Sequence, residues 1–278
     1  MLGGYFLYVA ALVLWRGRTW SNPGVLACLI PAGLFSIAQA DRGSAHRALS
    51  VLRDWLPAAL VLVAYWSVDW APTAHLDHHL EQALVGFDRT LLNSWGLRAG
   101  IERFGAIVPV ILESAYLALY AVLPLIIAVF YVRHERERLD DFLFPFLVGT
   151  LMTYALLPHF PSEGPRFVFP GQDLPTIDTM LRRVNLWVLD HGDIRSSVFP
   201  SGHVAVGFSA AFAMWLAVPT RRRIGWTLLA GAVMVWITTI YGRYHYAADG
   251  LASLVISATA IGLIGQAPRG FFARAIQR

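Results

Sequence analysis

Three short clusters in this 278-residue chain carry side chains that can do phosphate chemistry. The first is Ser197-Val198-Phe199-Pro200-Ser201-Gly202-His203. The second is Tyr241-Gly242-Arg243-Tyr244-His245-Tyr246-Ala247-Ala248-Asp249, and the third is Pro161-Ser162-Glu163-Gly164-Pro165-Arg166. Ser201 and Gly202 stand where an apolar run opens. Their backbone N–H groups are therefore expected at a helix N-terminus, where free donors and the helix dipole favour an anion. Arg166 and Arg243 each offer a fork of donors that matches two phosphate oxygens. His245 and Asp249 are four residues apart and share a helix face if the helix already includes His245. A carboxylate beside an imidazole fixes its tautomer and leaves the other ring nitrogen free as nucleophile or base. His203 then supplies a second imidazole, a general acid for the leaving oxygen. Glu113 is an acid inside an apolar run. It either orients an Arg or headgroup or makes a structural hydrogen bond. Tyr116 and Tyr120 share its helix face and read as packing residues.

The elements that must position these groups are membrane spans. An ordinary soluble domain carries about 25% charged residues, whereas this chain has 14%, with 56% hydrophobic and a mean hydropathy of +0.54. That balance excludes an ordinary cytosolic enzyme, a disordered chain and a nucleic-acid-binding module. The 22 basic residues are all Arg, so any anion held by a cationic side chain is held by Arg or His. The single Cys, Cys28, excludes an intrachain disulfide. A span needs about 20 apolar residues. Six runs qualify, at about 55–71, 106–132, 142–158, 198–218, 224–241 and 249–266. Two more, at about 2–15 and 23–40, read as accessory spans rather than a cleaved signal peptide. The expected fold is an all-α polytopic membrane protein. An N-terminal accessory region, 1–50, precedes a six-helix catalytic core, 51–278.

Arginine placement orients the bundle. Arg133, Arg136 and Arg138, then Arg221, Arg222 and Arg223, then Arg269, Arg274 and Arg278 all fall on one side, which the rule makes cytoplasmic. Arg42, Arg47 and Arg53 join them; Arg16 and Arg18 do not. The loop at about 159–197 and the turn near 242–248 are then exoplasmic, so topology lets all three clusters meet. Between the first two core spans, at about 74–104, Leu76, Leu80, Leu84 and Phe87 recur at helical spacing among His78, Glu81, Asp88 and Arg89. This reads as an amphipathic helix in the outer interface. His75, His78 and His79 with Asp77 suit a wet interfacial helix better than a metal site.

Phe199-Pro200-Ser201-Gly202-His203 resembles the second signature motif of the type 2 phosphatidic acid phosphatase superfamily. His245, followed four residues later by Asp249, resembles its third. The resemblance implies metal-independent phosphoryl transfer through a phosphohistidine in a six-helix membrane bundle. His245 would be the nucleophile, Asp249 its orienting carboxylate, and His203 the acid; Ser201 and Gly202 would bind phosphate. Two departures stand out. The usual first motif has a Lys and then Arg-Pro, neither of which occurs here, and Gly164-Pro165-Arg166 takes its place. The third motif's Arg, six residues before its His, is Thr239 here, and Arg243 is the available cation. The Tyr241…His245-Tyr246…Asp249 pattern is closer to the branch that holds inositol phosphorylceramide and sphingomyelin synthases. Those enzymes move a phosphorylated headgroup onto an alcohol, so water and an alcohol both stay open as acceptors. The expectation is an enzyme of a bacterial inner membrane, acting on a lipid-linked phosphate on the exoplasmic side, with membrane lipids as its surroundings. It calls for no cofactor, no metal and no nucleic acid.

Overall fold

The computed structural model describes residues 1–17, 23–40, 47–71 and 77–266. His75, Leu76, Arg18, Arg42 and the C-terminal arginines lie outside the described residues. Within them the chain is helical, with no strand. The N-terminal helices are α1 (Leu2–Trp15), α2 (Pro23–Ala40) and α3 (Arg47–Trp66). Then come α4 (His79–Arg89) and α5 (Leu97–Glu102), joined by a π-turn at Thr90–Ser94. Next are α6 (Ile107–Ala118), α7 (Val122–Val132), α8 (Leu139–Leu156), α9 (Pro165–Val168) and α10 (Met180–Gly192). The chain closes with α11 (Gly202–Ala217), α12 (Arg222–Tyr241) and α13 (Ala247–Gln266).

Among the described residues, five helical stretches are long and apolar enough to cross a membrane: Leu49–Trp70, Ile107–Val132, Arg136–His159, Pro219–Tyr241 and Ala247–Gln266. Leu2–Trp15, Pro23–Gly33 and Gly202–Ala217 are apolar but shorter. The run expected at 198–218 therefore yields a helix of only 16 residues. The reason is local: Ser201 has extended backbone, and its hydroxyl accepts from Val204 N at 3.3 Å. The helix cannot begin earlier. It sits in the middle of the bundle, packed on α8, α12 and α13. Small residues let these helices approach. A Cβ on Gly207 would lie 2.9 Å from that of Ala232, and one on Gly149 would collide with Ser209. Close backbone approach of this kind replaces the hydrophobic driving force that lipid does not supply.

The N-terminal helices do not form a separate unit. Phe6 and Val9 of α1 share one apolar core with Ala64 of α3 and Phe146 of α8. Tyr5 donates to Ala64 O at 2.9 Å, and Tyr8 to Ala155 O at 2.8 Å. The span over Ile107–Val132 is broken by a 3-10 turn at Leu119–Ala121. Pro124 explains the break, because it has no N–H to give to the carbonyl of Tyr120. In α4, Leu80 and Phe87 are exposed, Leu84 packs partly buried beside Val85, and Glu81, Val85 and Asp88 are buried. The acids read as the wet face of this helix are the ones turned into the protein.

Candidate active site

The turn between α12 and α13 is built on one carbonyl. Thr239 O accepts from Tyr244 N at 2.9 Å and from His245 N at 3.1 Å. Arg243 takes a left-handed backbone, φ 64°, and Gly242 is tight because a Cβ there would meet the Tyr244 ring at 2.8 Å. Helix α13 starts only at Ala247, so His245 precedes it. The shared helix face is thus replaced by a capping arrangement. Asp249, in the first turn, accepts from Tyr246 N at 2.9 Å and lies 3.3 Å from His245 Nδ1. An acid that reaches back to the N-cap N–H is half of a capping box. Asp88 on α4 serves the same helix end, accepting from Ala247 N at 2.9 Å. The starts of α11 and α13 are tied together by Ser201 N donating to Asp249 O at 3.1 Å and Ser253 Oγ donating to Ser201 O at 2.8 Å.

Two helix N-termini thereby bring two imidazoles together edge-on, their planes 62° apart. His245 Nε2 is 3.4 Å from His203 Nδ1. Besides Asp249, His245 Nδ1 lies 3.1 Å from Val198 O. A carbonyl oxygen only accepts, so this nitrogen carries a proton, and in the neutral ring Nε2 presents its lone pair. His203 is ringed by Tyr65, Tyr116 and Tyr120, with centroid distances of 5.5, 5.3 and 5.9 Å. Its Nε2 meets the Tyr120 hydroxyl at 3.2 Å.

The other expected residues are distributed around this pair. Ser201 is fully buried, its oxygen turned to the helix cap. Gly202 packs under two rings, since a Cβ would lie 2.9 Å from Tyr65 and 3.0 Å from Tyr154. Arg166 donates to Asp190 at 2.7 Å and lies 3.7 Å from Asp193. Asp193 in turn accepts from the Tyr65 hydroxyl. Arg243 is buried in an ion pair with Asp88 at 2.6 Å. Its Nε and Nη2 have no hydrogen-bond partner among the described residues. Burial pushes the Asp88 carboxyl up to about 6 against the opposing pull of Ala247 N–H and Arg243. Glu113 accepts from Asn185 at 2.7 Å and Tyr244 at 2.9 Å, and faces Arg182 at 3.7 Å. Arg182 also donates to Gly242 O at 2.9 Å. Glu113 thus makes structural hydrogen bonds and lies beside Arg182, which donates to the turn that carries His245.

Sequence reasoning missed Asp88, Arg182, Asp193 and the hydroxyl of Tyr120. Asp88 had a signal, since Glu81, Val85 and Asp88 fall on one face of α4. The others come from loop and helix packing that no spacing encodes. His78 lies near Glu81 and Glu163, at 3.9 and 3.8 Å. Among the described residues no group of three His, Cys, Asp or Glu could hold a metal ion.

Against His203 lies a cavity of ≈ 220 Å³ between α3, the α6–α7 break, α8, α10 and α11. Val61, Leu62, Leu123, Pro124, Phe146 and Val206 line it, and Gly202 and His203 form its polar end. Leu62, Trp66 and Tyr120 on its wall are exposed.

The sequence profile of the PAP2 superfamily matches residues 82–263. The chain belongs to the PAP2 superfamily. The matched segment contains Glu113, Arg166, Ser201, Gly202, His203, Arg243, His245 and Asp249, and leaves out α1–α3. A PA-phosphatase related-family protein of Dictyostelium discoideum is 27% identical over 131 residues, which is 44% of this chain and 22% of that protein. The chain thus matches only about a fifth of that relative's length. No solved structure matches it. PAP2 members are phosphatases or related phosphotransferases, and the chain is a helical membrane protein of that superfamily.

Proposed function

We propose that this PAP2 protein hydrolyses a lipid phosphate monoester or diphosphate through a phosphohistidine on His245, at the exoplasmic face of a membrane and without a metal ion. The observation that carries the reading is the 3.4 Å approach of His245 Nε2 to His203 Nδ1, with the proton of His245 held on Nδ1 by Val198 O and Asp249. A lone pair and a proton donor then flank one small site. The apolar cavity that ends at His203 supports a substrate whose chain stays in the bilayer.

The phosphate parts the imidazoles from their 3.4 Å contact and binds between them, with Arg166 and Arg243 as its cationic partners and the amides at Ser201 and Gly202 beneath it. His245 Nε2 attacks phosphorus as the bond to the lipid oxygen breaks. The leaving oxygen takes the proton of His203, and Asp249 balances the charge that grows on His245. Water then attacks the phosphohistidine and gives its proton to His203, releasing phosphate and restoring His245. A diphosphate follows the same path with lipid monophosphate as the leaving group. The third-motif pattern Tyr241…His245-Tyr246…Asp249 favours a second reading, in which an alcohol takes water's place and a headgroup is transferred.

The test is purified protein in chelator with a panel of phosphorylated lipids, with and without alcohol acceptors. Free phosphate supports hydrolysis, and a new phosphodiester supports transfer. Turnover retained by His245→Ala would refute both.

A further inference from the structure

We infer that Tyr120 is the positioning residue for the catalytic proton, its hydroxyl holding Nε2 of His203 so that the proton that moves is the one on Nδ1. The inference rests on the phosphohistidine reading above.

Hydrogen-bond partners assign the protons one by one. His245 Nδ1 faces Val198 O, which can only accept. In the neutral ring its Nε2 then carries a lone pair, and the 3.4 Å contact with His203 Nδ1 is attractive when His203 supplies the proton. In a neutral His203 that leaves a lone pair on Nε2, and the Tyr120 hydroxyl at 3.2 Å donates to it. In a protonated His203 both nitrogens donate, and the same hydroxyl accepts. A carboxylate could serve only the second state, whereas a phenol serves both. The ring nitrogen held by a partner decides which nitrogen is free to react.

During the reaction the imidazolium gives its Nδ1 proton to the departing alkoxide oxygen as the P–O bond breaks. It keeps Nε2–H on the Tyr120 oxygen and becomes neutral with a lone pair on Nδ1. That lone pair takes the proton of the water that cleaves the phosphohistidine. Without the hydroxyl, nothing keeps the retained proton on Nε2.

Backbone geometry aims the hydroxyl. Tyr120 stands in the 3-10 turn that interrupts the α6–α7 span, where Pro124 withholds an N–H from the Tyr120 carbonyl. Tyr65, the other cavity-wall tyrosine against the His203 ring, has its hydroxyl on Asp193 instead. The Tyr120 ring also lines the cavity that reaches His203, so the group lies beside the route of the substrate.

The experiment compares kcat/KM for an alkyl phosphate, whose leaving oxygen needs a proton, with that for 4-nitrophenyl phosphate, whose leaving group does not. Because kcat/KM covers only the steps through loss of the leaving group, it isolates the acid. Tyr120→Phe should lower the alkyl value by about 10- to 100-fold and leave the activated ester within about threefold. Replacing Tyr120 by 3,5-difluorotyrosine keeps the ring and weakens the oxygen as an acceptor, so it tests the same ratio if the Phe variant does not fold. A ratio unchanged from wild type, or an equal loss on both esters, overturns the role of Tyr120. His245→Ala runs beside them. If it stays active the phosphohistidine reading itself fails; if it is dead, the ratio measured for Tyr120 decides the role of Tyr120 alone.

Discussion

At the scale of single residues, Asp249 does two jobs with one oxygen. Its Oδ2 caps the helix through Tyr246 N and fixes the His245 tautomer. Asparagine keeps an acceptor for the cap but carries no charge to balance the imidazole. Asp249→Asn should therefore cost about 10²- to 10⁴-fold in kcat while lowering stability by less than about 1 kcal/mol. Steady-state kinetics and thermal unfolding separate the two effects. His203, His245 and Asp249 were readable because their types and spacing carry chemistry in one dimension. The path from Glu113 through Arg182 to the Gly242 carbonyl was half readable: the buried acid stood out, but its partner lies 69 positions away on another helix. Tyr120 was invisible for a different reason. A tyrosine at helical spacing reads as packing, and only the direction of its hydroxyl separates a packing ring from a proton holder.

At the scale of elements, the site is where the N-termini of α11 and α13 meet, and α4 seals it from outside with Asp88. The Asp88 carboxyl, lifted by burial to about 6 from an ordinary 3.8, binds its proton more tightly in the folded chain than in the unfolded one. Stability from this group therefore falls as pH rises from 3.8 to about 6, and above that the ionised pair is held at a net cost. Its value is positional. Below about 6 the acid becomes neutral, and Arg243 loses its anion beside the catalytic turn. The kcat/KM profile should bend downward on the acid side near 6, and Asp88→Asn should lack that bend and stay at the low value throughout. A profile of kcat/KM against pH for both proteins checks it. That α4 exists and is amphipathic was legible in Leu80, Leu84 and Phe87. Its rotation was not, since spacing alone does not say that Glu81 and Asp88 turn into the protein while Leu80 and Phe87 stay exposed.

At the scale of the whole molecule, hydropathy located the apolar helices, because backbone groups in lipid must be satisfied within a helix. Hydropathy could not tell a full span from a short helix wrapped by others. α11 has an apolar sequence like its neighbours, but its cap at Ser201 and Pro219 at its far end hold it to 16 residues. At about 1.5 Å per residue it rises about 24 Å, less than the roughly 30 Å of hydrocarbon in a typical bilayer. Its far end lies beside Arg221, Arg222 and Arg223, which anchor it at one boundary. On the proposed exoplasmic placement, the head bearing His203 then lies beneath the opposite surface. For the proposed lipid phosphate, the headgroup is then drawn down to that depth, and the distance depends on the lipids around the protein. Membrane thickness becomes a rheostat for turnover. Reconstituted in bilayers of short acyl chains, the protein should work faster than in long-chain bilayers of the same headgroup, with the difference lost in detergent micelles.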